Sequence, residues 1–227
     1  MTDRGIKILG GVLLGILVML IAAIAFPEMT AHLFAPIEVP LLRRRARLAA
    51  KPADRAVAVY ALVNPHHGEF PPDYATAIAV LQTDPDPGVR CSVAEDLYGV
   101  RVRPDSAEGR ALMREVLAAL LQQAESDPDP AVREACLDSA FHNITSLVAL
   151  ERPPAFVREH LDSVMDGLVT ALSDPDQSVR TTARENISLL QGEGLVPEPP
   201  ETTDAKVWQE WLQTWREERG PPAAGVP

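Results

Sequence analysis

A seven-residue phrase recurs three times in this chain and sets what it can fold into. It reads DPDPGVR at Asp84–Arg90, DPDPAVR at Asp127–Arg133 and DPDQSVR at Asp174–Arg180. Its valines, at 89, 132 and 179, stand 43 and 47 residues apart. A period of about 40–47 residues is the spacing of two-helix repeats. Asp86, Asp129 and Asp176 are suited to N-cap positions, where a carboxylate accepts orphan backbone N–H groups. Pro87 and Pro130 then fall at the first helical position, where a missing N–H costs nothing. Pro85, Pro128 and Pro175 stop the incoming helix from running on. Each phrase therefore predicts a tight turn between the two helices, A and B, of one repeat.

Helix B of each repeat carries a second pattern. Val89-Arg90 is followed by Val93 and Leu97, Val132-Arg133 by Cys136 and Ala140, and Val179-Arg180 by Ala183 and Ile187. With an aspartate shortly before the Val-Arg pair, these residues resemble the HEAT-repeat family of the armadillo-like superfamily, over roughly residues 40–220. The resemblance implies an all-α fold: a short right-handed α-solenoid of about three HEAT-like helix pairs, with a degenerate N-terminal pair and a C-terminal capping helix. In that family the Asp and Arg build a hydrogen-bonded ladder between neighbouring repeats. The resemblance gives that role to Asp86, Asp129, Asp176, Arg90, Arg133 and Arg180. The family's small apolar residue seven places after the Val is replaced by Asp96, Ser139 and Asn186, which predicts looser stacking there. Such folds serve many functions, so the resemblance implies a binding surface and names no partner.

Ahead of the repeats, Ile8 to Phe26 is an uncharged apolar run of 19 residues. About 20 such residues cross a bilayer, so residues 1–27 are expected to form one transmembrane helix. Ala23-Ile24-Ala25 also fits a signal-peptide cleavage site, although signal-peptide apolar cores are usually about 7–15 residues. Arg4 and Lys7 before the run favour an inside N-terminus and a repeat domain on the outer, periplasmic or extracellular, side. The later cluster Arg43, Arg44, Arg45 and Arg47 argues the other way and could rest on anionic headgroups. Gly11 and Gly15 form a GxxxG step that could pair two such helices into a homodimer.

Residues 28–40, with Pro36 and Pro40, are expected to be a stiff connector. Residues 41–219 form the repeat domain, beginning with short helices at Leu41–Lys51 and Asp54–Val63. Asp54-Arg55-Ala56-Val57 is an imperfect echo of the phrase. Helix pairs are expected at Asp73–Gln82 with Gly88–Val100, at Ser106–Ser126 with Pro130–Leu150, and at Pro154–Leu172 with Gln177–Gln191. A last helix, Asp204–Arg219, places Trp208, Trp211 and Trp215 on one face. That face reads either as a cover for the final repeat or as an exposed anchor. Residues 220–227 are expected to be a disordered tail.

The chain of 227 residues has a net charge of −11, unevenly spread: +4 over residues 1–55 and −15 over the rest. An acidic repeat domain repels phosphates, which argues against nucleic acid. No phosphate loop, nucleophile elbow or HExxH motif occurs, so no catalytic residue, cofactor or metal site is expected. His66-His67 lacks a metal-ligand spacing. Asn143-Ile144-Thr145 and Asn186-Ile187-Ser188 match a glycosylation sequon but fall inside expected helices.

At about 100° per residue, positions 0, 4, 8 and 11 after the Val cluster on one face of helix B, and positions 2, 6 and 9 face away. Position 6 is Glu95, Asp138 and Glu185, and position 9 is Tyr98, Phe141 and Ser188. If B helices stack side by side, these form an acidic stripe beside two exposed aromatics, Tyr98 and Phe141. That surface suits a protein partner with a basic or amphipathic segment. The expected function is a non-enzymatic, membrane-anchored scaffold or adaptor. The alternatives are a structural or assembly subunit of a larger membrane complex, and a HEAT-like lyase or maturation factor.

Overall fold

The computed structural model describes residues 27–64, 71–100, 106–149, 154–202 and 204–220. The expected transmembrane run, its Gly11/Gly15 step, His66-His67 and the tail from 221 lie outside the described residues. Among the described residues the chain is all-α. No helix there is long and apolar enough to cross a membrane.

Nine helices follow in order among the described residues. They are α1 (Pro27–Leu48), α2 (Pro52–Val63), α3 (Tyr74–Thr83), α4 (Pro87–Asp96), α5 (Ala107–Ser126), α6 (Pro130–Ala149), α7 (Pro154–Ala171), α8 (Gln177–Gly192) and α9 (Ala205–Arg219). The segment expected as a connector is helical: α1 runs unbroken for 22 residues through Pro36 and Pro40. Helix α4 ends four residues earlier than its apolar pattern suggests, in a turn where Gly99 takes a left-handed φ of 63°. Glycine meets that conformation without the strain a side chain would add.

The helices pack in two layers. In one, α1 lies against α3, α3 against α5, and α5 against α7; in the other, α2 lies against α4, α4 against α6, and α6 against α8. One continuous apolar core runs between the layers from Ala46 to Trp215. The expected core positions of the B helices are filled by Val89, Val93, Leu97, Val132, Cys136, Ala140, Val179, Ala183 and Ile187, all 1% exposed or less. Burying each larger aliphatic side chain contributes about 1.5–3 kcal/mol. The layer of A helices closes tightly at Gly167 of α7, where a Cβ would stand 2.5 Å from Leu121 Cδ2 of α5.

The turn phrase performs two separate tasks. Asp86 caps α4 by accepting from Val89 N–H at 3.1 Å, Asp129 accepts from Ala131 N–H at 2.9 Å, and Asp176 accepts from Ser178 N–H at 2.8 Å. The ladder role expected of these three aspartates belongs instead to the first Asp of each phrase. Arg90 Nε and Nη2 donate to Asp127 at 2.7 and 2.8 Å, and Arg133 donates in the same way to Asp174 at 2.8 Å twice. The degenerate pair joins them, since Arg55 donates to Asp84 at 2.6 and 2.8 Å. The third nitrogen of each fork donates to a backbone carbonyl: Arg55 to Ala49, Arg90 to Asp84 and Arg133 to Asp127. The geometry explains the division of labour. The first Asp follows helix A directly and faces the preceding repeat, while the second turns back onto its own helix B. Arg180 has no further phrase ahead of it and donates to the carbonyls of Asp174 and Pro175.

The tryptophan face of α9 is covered rather than open. Trp208 and Trp215 are buried, α9 packs on α7, and Trp211 stacks on Trp215 with ring centroids 6.3 Å apart. Both Trp208 and Trp211 donate their indole N–H at 3.0 Å, to the carbonyls of Thr202 and Glu198. Arg216 reaches Asp166 of α7 at 2.8 Å, and Arg219 lies over Trp215 while pairing with Asp162.

Two consequences can be measured. Removing one partner of a buried, bidentate pair costs about 3–5 kcal/mol. Arg90→Ala should therefore lower the urea midpoint strongly, while Arg180→Ala, which breaks no rung, should cost less than about 1 kcal/mol. The second consequence concerns acid. Burial alone would raise the Asp84, Asp127 and Asp174 carboxyls, but the arginine forks and the N–H groups of Asp86, Asp129 and Asp176 outweigh it and hold all three below the ordinary range. A depressed carboxyl stabilises the fold above the unfolded-state value, about 3.9, and that contribution disappears as pH falls through the folded values. Thermal unfolding should thus show a steep loss of Tm below about pH 4.

Candidate protein-binding face

The exposed side of the α2–α4–α6–α8 layer brings the expected site residues into one row. Glu95, Asp138 and Glu185 are all exposed on α4, α6 and α8. Each stands five residues after the arginine of its helix, Arg90, Arg133 or Arg180; the first two of these make rungs, and the rung from Arg133 to Asp174 fixes the start of α8. Tyr98, in the turn after α4, is 54% exposed. Between α4 and α6 lies a shallow groove of about 260 Å³, lined by Glu95, Tyr98, Ala135, Asp138, Ser139 and His142. The Tyr98 and His142 rings meet edge to face, with centroids 4.9 Å apart.

Phe141 is not part of this surface. It is 4% exposed and belongs to the core, so the second exposed aromatic expected beside the stripe is absent from that position. The wheel that places position 9 outward assumes both B helices present the same face. In α6 the ring turns in under His142, whose centroid is 5.0 Å away, and His142 takes the outward place.

Two residues of the face were missed by sequence reasoning. Counting five from Arg55, the ladder arginine of α2, reaches Tyr60, which is 48% exposed and continues the row that Glu95 begins. The echo Asp54-Arg55-Ala56-Val57 puts its Val and Arg in the wrong register, and only the Arg55–Asp84 pair fixes it. At the other end Leu189 of α8 is 55% exposed, nine residues after Arg180 as His142 is after Arg133. Read across the four helices, the row is aromatic on α2 and acidic on α4, α6 and α8, with exposed Leu189 on α8 as well.

Of the three polar residues expected to loosen the stack, Asp96, Ser139 and Asn186, the last instead joins its helices, and other polar side chains do the same. Asn186 is buried and its Nδ2 donates to Asp138 Oδ1 at 3.1 Å; Thr182 donates to Glu134 Oε1 at 3.1 Å. Both bonds tie α8 to α6. Asn143, 1% exposed, occupies the position where an apolar residue is expected. Its Nδ2 donates to the carbonyls of Leu97 and Ser139 at 2.9 and 2.8 Å, and its Oδ1 accepts from Val100 N–H at 2.9 Å. It thereby satisfies the backbone that the early end of α4 exposes, groups costly to leave unpaired in a core. Asn143 and Asn186, the two sequon asparagines, are enclosed and bonded. Cys136 is fully buried, Cys91 is half-buried with Sγ 3.7 Å from the Ala131 carbonyl, and both are free thiols.

Of the other two positions in that trio, Ser139 is buried in α6, and Asp96 differs from Asn186. It ends α4, half-buried, with no hydrogen bond or ion pair to another described residue. Burial, helped by the neighbouring charge of Glu95, raises its carboxyl to about 6. The negative end of the helix dipole opposes ionisation there as well. Neither family models nor curated proteins give any match to the chain.

The Asp96 carboxyl gives the face a pH signature. A folded value of about 6 against an ordinary 3.8 means the folded state holds its proton more tightly. Its contribution is therefore most favourable below about pH 4 and is lost as pH rises through about 6. Asp96→Asn should raise stability at pH 7 by on the order of 1 kcal/mol and leave it nearly unchanged at about pH 3.5. Urea titrations at the two pH values check this.

Proposed function

We propose that this chain is a non-enzymatic scaffold, held at a membrane through residues 8–26, whose HEAT-like α-solenoid docks a protein partner bearing a basic amphipathic segment. The observation that carries the reading is the row Tyr60, Glu95, Asp138 and Glu185, with the Tyr98–His142 groove opening beside it. The side-by-side packing of α2, α4, α6 and α8, and of α1, α3, α5 and α7, supports a solenoid of four helix pairs with α9 as its cap. Three properties of the row suit such a partner. Its carboxylates offer complementary charge to lysine and arginine. Tyr98 and Tyr60 present rigid aromatic surface of the kind enriched at interfaces. Exposed Val57 on α2 and Leu189 on α8 can take the hydrophobic side of a helix laid along it. The charge of −15 over residues 56–227 steers a cationic partner toward the domain and turns nucleic acid away.

The test is capture from intact membranes after cross-linking, comparing the wild-type chain with Glu95→Lys, Tyr98→Ala, Glu185→Lys. Asp138 is left intact because it holds Asn186. The captured partner should carry a basic amphipathic segment, and a peptide of that segment should bind the variant at least about tenfold more weakly, a change of 1.4 kcal/mol or more. Equal binding by a variant with unchanged circular dichroism would place the docking surface elsewhere.

A further inference from the structure

The most exposed apolar side chains of the described residues gather at the first helix pair. Leu48 is 73% exposed and Leu41 59%, against 4% for Trp208 at the opposite end of the stack. One end is thus capped by α9, and at the other these leucines stand bare among the described residues. Leu41, Arg44 and Leu48 stand three and four residues apart and share one stripe of α1, with Arg47 beside them. The opposite stripe of α1 packs inward through fully buried Ala46 and partly buried Val39 and Leu42.

The charge on this stripe is unlike the rest of the chain. From Arg43 to Lys51 there are five cations and no acid, in a protein of net charge −11. Two of the cations are paired while staying exposed: Arg43 donates to Asp73 at 2.6 Å and Arg45 to Asp54 at 2.9 Å. Arg44, Arg47 and Lys51 are exposed and make no ion pair with another described residue. Leucines flanked by long cationic side chains are what a bilayer interface accepts. The leucines enter the acyl boundary while the cations reach the phosphates. Each such cation contributes only near an anionic surface, within a Debye length of about 8–10 Å.

We infer that the Leu41–Arg44–Arg47–Leu48 stripe of α1 lies on an anionic bilayer surface, so that the first helix pair rests flat on the headgroups. This rests on the membrane part of the proposed function and adds to it a second, lipid-facing surface distinct from the acidic row. At 22 residues α1 is about 33 Å long, and Pro27, where a helix is bent or broken, stands at its junction with the apolar run. The bare end of the stack is then closed by lipid, as the other end is closed by α9.

The test uses the full chain in lipid nanodiscs, with Cys91→Ser and Leu48→Cys carrying an NBD fluorophore; Cys136 is enclosed and stays unlabelled. Incorporation into the discs reports the anchor, and the emission reports the stripe. In phosphatidylglycerol discs the emission should shift to the blue and be quenched by nitroxide lipids. The shift should be lost in phosphatidylcholine discs and in the Arg44→Glu, Arg47→Glu chain. A probe at Leu189→Cys should keep its aqueous emission throughout. Incorporation with unchanged emission at position 48 would overturn the lipid contact alone. A blue shift that persists in detergent and grows with protein concentration would assign the stripe to a second copy and overturn it too. Failure to incorporate in either lipid would overturn the membrane reading and the contact with it.

Discussion

The rest of the structure depends on one contact repeated three times: an arginine fork on the carboxylate of the next phrase. Each arginine is fixed at both ends, by two bonds to the aspartate ahead and one to a backbone carbonyl within its own turn. The planar guanidinium presents its donors in a rigid fork, so the contact sets orientation as well as distance. A lysine at Arg90 would keep the charge and lose the alignment. Apolar packing supplies most of the stability, but packing of leucines and alanines tolerates rotation and slip. The rungs do not. They hold α2, α4, α6 and α8 in one register, and the row of exposed residues five places after each arginine follows from that register.

How far the sequence discloses this differs by layer of detail. Helix order, turn chemistry and the core positions of the B helices could be read from it, because apolar spacing and Asp-Pro caps act locally. The identity of the ladder aspartate could not, since DPDP offers two carboxylates with equal local credentials and only the distance to the preceding repeat separates them. Phe141 fails for a related reason: a helical wheel gives direction but not the depth of the neighbour, and the fold draws that ring inward. Tyr60 is hidden by the imperfect echo at Asp54–Val57, whose register becomes clear only once Arg55 is seen on Asp84. Asn143 has no local signal at all. Its need arises because α4 stops short, leaving a carbonyl and an N–H that a side chain from the next repeat must meet.

Polar groups inside the stack take different roles according to whether they find partners. Asn143 uses both its amide oxygen and its amide nitrogen, Asn186 donates to Asp138, and both join neighbouring helices. Asp96, one residue beyond Glu95, lies half-buried with no ion pair to another described residue, and burial raises its carboxyl. At position seven, Asn186 shows how a polar residue can tie α8 to α6: an amide both donates and accepts, while a carboxylate needs a cation or a donor.

The direction of the rungs has a consequence for how a chain like this could grow. Arg55, Arg90 and Arg133 each reach forward to the first aspartate of the next phrase, and Asp84, Asp127 and Asp174 each receive from behind in the same way. An extra α5–α6 unit inserted in frame would offer a matching acceptor to Arg90 and a matching donor to the phrase that follows. The middle of the protein is therefore modular, able to lengthen by duplication without new contacts being invented. The C-terminal side is not: Arg180 closes on its own turn, and α9 is bound to α7 through its tryptophans and through Arg216 and Arg219 on Asp162 and Asp166, not through a rung.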